Sequence, residues 1–176
     1  MDFCLLNEKS QIFVHAEPYA VSDYVNQYVG THSIRLPKGG RPAGRLHHRI
    51  FGCLDLCRIS YGGSVRVISP GLETCYHLQI ILKGHCLWRG HGQEHYFAPG
   101  ELLLLNPDDQ ADLTYSEDCE KFIVKLPSVV LDRACSDNNW HKPREGIRFA
   151  ARHNLQQLDG FINLLGLVCD EAEHTK

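Results

Sequence analysis

Between residues 49 and 126 the chain is cut into short alternating or β-branched segments by a turn signal every few residues, and this rhythm constrains the fold more than any other feature. Residues 53–61 alternate and stop at Gly62 and Gly63, a hairpin signal. Residues 64–68 stop at Pro70 and Gly71, and residues 76–82 stop at Lys83 and Gly84. Segments 86–89, 94–97 and 101–105 are separated by Gly90 and Gly92, then Pro99 and Gly100, and are followed by the turn residues 106–109. Segments 111–115 and 121–126 complete the series. Many short strands at such spacing build a sandwich or barrel.

The flanks read differently. Residues 1–36 mix apolar runs with polar breaks, and residues 23–29 fit a short helix or a strand equally well. Residues 37–45, PKGGRPAGR, hold three glycines, two prolines and three cations and form a loop. After Pro127 the texture becomes helical. Residues 128–135 carry Val129, Val130, Leu131 and Ala134, with Ser128 as a candidate N-cap. Residues 154–173 place Leu155, Leu158, Phe161, Ile162, Leu165, Val168 and Cys169 in steps of three and four, one continuous helical stripe. The organisation read from sequence is therefore a barrel with an N-terminal arm over residues 1–126 and a helical region over residues 127–176.

Composition narrows the function. A net charge of -3 argues against nucleic-acid binding by these residues, because phosphate contacts supply most of that affinity. DNA contacts are expected only from a domain this chain does not carry. Eight cysteines stand singly among apolar residues, with no signal peptide ahead of them, and read as reduced thiols in a cytoplasmic protein. No apolar run is long enough for a membrane span. Eleven histidines invite a metal reading, but His85, His91 and His95 straddle turns, and His47 and His48 point to opposite faces of a strand. No metal site, cofactor or catalytic constellation is expected.

Three segments carry a family resemblance: YHLQIILKG at 76–84, APGELLLLNP at 98–107 and CEKFIVKLP at 119–127. They resemble the amino-terminal domain of AraC/XylS-family regulators, whose cupin-like barrel ends a strand in Lys-Gly and turns through Pro-Gly-acid. The resemblance covers most of the chain. It implies a mainly β fold, a jelly-roll barrel followed by antiparallel dimerisation helices. It also implies a homodimer, with DNA and RNA polymerase met through a carboxy-terminal helix-turn-helix domain. Residues 1–10 and the loop at 37–45 narrow the likeness to members that answer benzoate or alkylbenzoates, such as 3-methylbenzoate, and switch on a plasmid-borne meta-cleavage operon for toluene and xylene.

A benzoate needs an apolar wall for its ring and a cation or N–H donors for its carboxylate. Arginine suits a planar carboxylate through its two parallel donors. Arg41, with Arg45 and Lys38, sits in the one glycine-rich loop and either holds the carboxylate or forms a solvated linker. His77 and Gln79 share a strand face that is either cavity or solvent, with Tyr76 on the opposite face. Tyr76, Trp88 and Phe97 are candidates for the ring wall or for ordinary core. The stripe of Leu155, Leu158, Phe161, Ile162, Leu165 and Val168 either pairs two chains or packs on its own barrel. A metal-dependent cupin enzyme and a ligand-free dimerisation module are the competing readings.

Overall fold

The computed structural model describes residues 5–37, 43–72 and 74–175. The amino-terminal part holds β1 (Gln11–Ala16), α1 (Pro18–Tyr28), β2 (Ser33–Arg35), β3 (Gly44–Phe51) and β4 (Leu54–Ser60). The middle holds β5 (Val65–Ser69), β6 (Cys75–Lys83), β7 (Cys86–Gly90), β8 (Gln93–Phe97), β9 (Glu101–Leu105), β10 (Ala111–Tyr115) and β11 (Glu120–Pro127). The chain continues through α2 (Ser128–Asp137), β12 (Arg152–Asn154) and α3 (Asp159–His174).

The strands form two antiparallel sheets, one ordered β1-β3-β4-β11-β6-β9-β12 and the other β2-β5-β10-β7-β8. From β4 to β11 the chain changes sheet at every connection except the β7–β8 turn, the path of a cupin-like jelly roll. That path corrects one expectation. Gly62 and Gly63 do not close a hairpin; they carry the chain from β4 in one sheet to β5 in the other. Gly62 holds φ +71° where a Cβ would lie 2.5 Å from the Ala43 backbone, so glycine is required for a close crossing. A true hairpin joins β7 to β8, where His91 and Gly92 both take positive φ, as a type I′ turn demands.

The seven-stranded sheet is buried on both faces. Toward the other sheet, Leu46, Ile59, Ile81, Leu103 and Leu105 meet Val65, Trp88, Phe97 and Leu113. On its other face, Leu56, Ile80, Leu102, Phe122 and Val124 meet Leu5, Leu6 and α3. Residues 121–125 of β11 show the consequence of strand alternation: Phe122 and Val124 serve the helix side, while Lys121, Ile123 and Lys125 face the barrel interior.

The helices explain the remaining differences. The ambiguous segment near residue 23 belongs to α1, which opens with Pro18 in its first turn, where proline has no hydrogen bond to lose. In α2 the N-cap is Pro127, and the Ser128 N–H donates to the Thr74 carbonyl at 2.8 Å. The helix expected from residue 154 begins at Asp159, because residues 155–157 form a 3-10 turn capped by the Asn154 side chain. Just before it, β12 pairs with β9, so the stretch after residue 127 contributes to the barrel sheet and is not purely helical. A three-residue strand is too short to show a period.

The expected apolar stripe packs on the chain's own barrel. Leu155, Ile162 and Leu165 are buried there with Cys169 and Ala172, and Leu158, Phe161 and Val168 flank them. The apolar side chains that α3 leaves to solvent are Leu164 and Leu167, 55% and 64% exposed.

Candidate functional site

Between the sheets, under the carboxy-terminal end of α1, lies a cavity of about 450 Å³. That volume lies within the range that holds small organic ligands. Its floor comes from β4, β6 and β11 of the larger sheet and its opposite wall from β5 and β10. Val25, Val29 and residues 30–32 roof it on one side, and residues 69–72 with Thr74 on another. Apolar walls come from Ile59, Val67, Leu113 and Ile123.

The polar lining is the informative part. Lys121 is 3% exposed, and its ammonium stands 2.9 Å from the Tyr115 ring centroid and 5.1 Å from that of Tyr61. Among the described residues it forms no ion pair, and its contacts are with those two ring faces. Burial lowers its pKa to about 8. Lys125 also lines the cavity, but its ammonium donates to the Val29 carbonyl and so ties β11 to the end of α1. The described lining contains no Asp or Glu.

Neutral polar groups complete the wall. Tyr115 donates its hydroxyl to Gln79 Oε1 at 2.6 Å, which fixes both side chains. His77 faces the cavity, and burial, aided by the nearby Lys125 charge, lowers its pKa to about 4. His32 lies 3.1 Å through Nδ1 from the Gly30 carbonyl, while Nε2 lies 3.0 Å from Ser22 Oγ and 3.5 Å from the Tyr61 hydroxyl. These distances assign the proton to Nδ1, and burial lowers the His32 pKa, so the ring is neutral. Both tyrosine hydroxyls are pushed upward by burial and stay protonated.

The structure brings His77 and Gln79 to this cavity and separates the other sequence candidates from it. Tyr76 takes the opposite face of β6, packs edge-on against Phe149 and donates to the Ile147 carbonyl at 2.5 Å. Trp88 is buried in the inter-sheet core beyond the cavity lining, with Nε1 donating to the Gln110 carbonyl at 3.1 Å. Phe97 is also core, with the Arg152 guanidinium over its ring at 4.2 Å. Arg45 alternates away from Leu46 and His48 and occupies a separate shallow recess with Arg58 and Glu120. Lys38 and Arg41 lie outside the described residues. The histidines near the β7–β8 turn have aromatic partners: His95 stacks on Trp88, His91 meets it edge-on, and His85 stacks on Tyr96.

Sequence reasoning missed Lys121, Tyr61, Tyr115 and His32. The signal for Lys121 lay in the alternation of CEKFIVKLP, whose apolar face suggests a barrel interior. With α3 covering that apolar face, the polar face is the interior one.

Comparison with known proteins agrees with this architecture. The AraC-binding-like domain family matches residues 21–176. The chain belongs to that family. Two curated relatives from Pseudomonas putida are similar to it over nearly its whole length. "XylDLEGF operon transcriptional activator 1" is 99% identical across 100% of this chain and 53% of its own length. "XylDLEGF operon transcriptional activator 3" is 82% identical across 99% of this chain and 53% of its own length. The chain thus spans about half the length of the curated relatives it matches. Among solved structures, the AraC-like transcriptional activator CuxR superposes with a TM-score of 0.58 at 10% identity, covering 88% of this chain and 62% of that one. At that identity the likeness concerns the fold alone.

Proposed function

We propose that this AraC-binding-like domain is the effector-sensing part of a cytoplasmic transcriptional activator that answers benzoate and alkylbenzoates. The activator would switch on an operon for aromatic-hydrocarbon breakdown. One observation carries the effector class: an apolar cavity of about 450 Å³ whose charged lining, among the described residues, is cationic throughout. Apolar walls accept an aromatic ring and cations accept a carboxylate. The regulatory role is supported by the names of the relatives, both operon transcriptional activators. DNA and RNA polymerase would be met by residues outside this chain. Two copies would pair through α3, using exposed Leu164 and Leu167 with half-buried Phe161 and Val168, since the inner stripe is already occupied. Lys38 and Arg41 would approach the ligand from the segment ahead of β3.

Calorimetric titration with 3-methylbenzoate, beside toluene as the control lacking a carboxylate, tests the reading. Binding of the acid and not of the hydrocarbon is expected. A folded sample that takes up no aromatic acid overturns it. Weaker binding by Arg41→Ala would add the loop to the site.

A further inference from the structure

We infer that Lys121 is the specificity-determining residue of the cavity, the cation that receives the effector's carboxylate and separates an aromatic acid from its parent hydrocarbon. The inference rests on the aromatic-acid reading above and assigns its charge contact to one side chain.

Position carries the assignment. Among the described cations near the cavity, Lys125 is engaged by the Val29 carbonyl and Arg45 faces the other side of its sheet. Among the described residues Lys121 meets the Tyr61 and Tyr115 ring faces beside the thiols of Cys57, Cys86 and Cys119, although an ammonium has three N–H donors. The side chain is buried yet lines the cavity, so its charge is open to a ligand there, and proteins seldom bury a charge without use. The Tyr61 and Tyr115 rings hold the charge in place by cation–π attraction without neutralising it, leaving it attractive to an incoming anion. Tyr115 is itself fixed by Gln79, so the ammonium is presented from a set position. The wall of Val67, Leu113 and Ile123 remains for the ring and its alkyl substituents.

This anchor has a signature that a purely structural lysine would lack. Binding of an anion must be strongest while Lys121 is charged, and must weaken as the free protein loses that proton above about pH 8. The groups around it stay silent there. Cys57 on β4 and Cys86 on β7 are held at about 12 by burial, and Cys119 is raised as well. Tyr61 and Tyr115 are likewise raised by burial, while His32 and His77 are lowered and already neutral. The effector carboxylate is ionised throughout.

The experiment is titration of the full chain with 3-methylbenzoate at pH 7, 8 and 9, on the natural sequence, on Lys121→Met, and on Lys83→Met as an exposed-lysine control. Thermal melts establish that each variant is folded. The natural chain is expected to lose affinity toward a limit of about tenfold per pH unit above pH 8. Lys121→Met is expected to bind about a hundredfold more weakly at pH 7, a typical cost for breaking a buried charge pair, and to show no such pH dependence. Lys83→Met should match the natural chain. Unchanged affinity in folded Lys121→Met, or a flat pH profile in the natural chain, overturns the anchor and leaves the aromatic-acid reading standing. Absence of acid binding in the natural chain overturns both. The pH profile needs no variant, so it decides even if Lys121→Met fails to fold.

Discussion

Lys121 illustrates how a residue can act against the fold that carries it. Its pKa falls from 10.5 to about 8 on burial, which corresponds to roughly 3 kcal/mol of destabilisation while the group is charged. The unfolded chain binds the proton more tightly, so this cost is fully present below about pH 8. It is relieved as pH rises from 8 toward 10.5, where stability climbs. Lys121→Met should therefore raise the unfolding free energy at pH 7 by about 2–3 kcal/mol, a gain that shrinks toward pH 10.5. Urea melts across that range measure it, and a destabilised variant would contradict it. His77 works at the acid end. Its pKa is lowered to about 4, so protonation favours the unfolded chain, and stability should fall from about pH 6.5 down through pH 4. His77→Gln should lose less stability over that interval in the same assay. In both cases the chemistry follows from a side chain placed inside a barrel, and strand alternation alone could not say which face was inside. For β6 the choice remained open in the sequence, and for β11 the alternation of Phe122 and Val124 with Lys121 and Lys125 names two faces without saying which is inside.

At the level of elements, α3 shows where pattern reading succeeds and where it stops. Its stripe was visible from the spacing of Leu155, Ile162 and Leu165, yet the same stripe serves equally to pair chains or to cover a barrel. The choice depends on the second face of the seven-stranded sheet, on which Leu56, Ile80, Phe122 and Val124 need a cover. Leu165→Ala should consequently cost the fold about 2–5 kcal/mol through the cavity it leaves. Thermal or urea unfolding measures this. The double change Leu164→Asp and Leu167→Asp should leave the melting free energy within about 0.5 kcal/mol, because both side chains already face solvent. Sedimentation of that double variant tests the proposed pairing surface, with a dimer that persists unchanged counting against it. The strands between β4 and β11 were legible nearly to the residue, because Gly and Pro punctuate them. The strands β1, β2 and β12 were not, since they are edge or near-edge strands of three to six residues with weak alternation. Sheet membership was also hidden: a Gly-Gly turn looks the same whether it closes a hairpin or crosses between sheets.

Across the whole molecule, one sheet separates the cavity from the helix that covers its back, and β11 belongs to both. Lys121, Ile123 and Lys125 line the cavity, while Phe122 and Val124 between them pack under α3. The amino-terminal segment is wedged into the same layer, with Leu5 and Leu6 in that core and the Asn7 N–H donating to Glu173 of α3 at 2.9 Å. A ligand that binds only the closed cavity stabilises every element whose opening requires the cavity to open, by about 2.7 kcal/mol at a hundredfold excess over Kd. Lys125 and the Val29 carbonyl place α1 in that unit, and the shared packing of β11 places α3 there too. Saturating 3-methylbenzoate should therefore slow amide exchange in α1, β11 and α3 together, while amides of the exposed β7–β8 turn stay unchanged. Replacing Lys125 by Met should release α1 from this response and leave α3 within it. If exchange in α3 ignores the ligand while α1 and β11 respond, the helix opens independently of the cavity. The back of the sheet would then not be the route by which occupancy reaches the proposed pairing surface on α3.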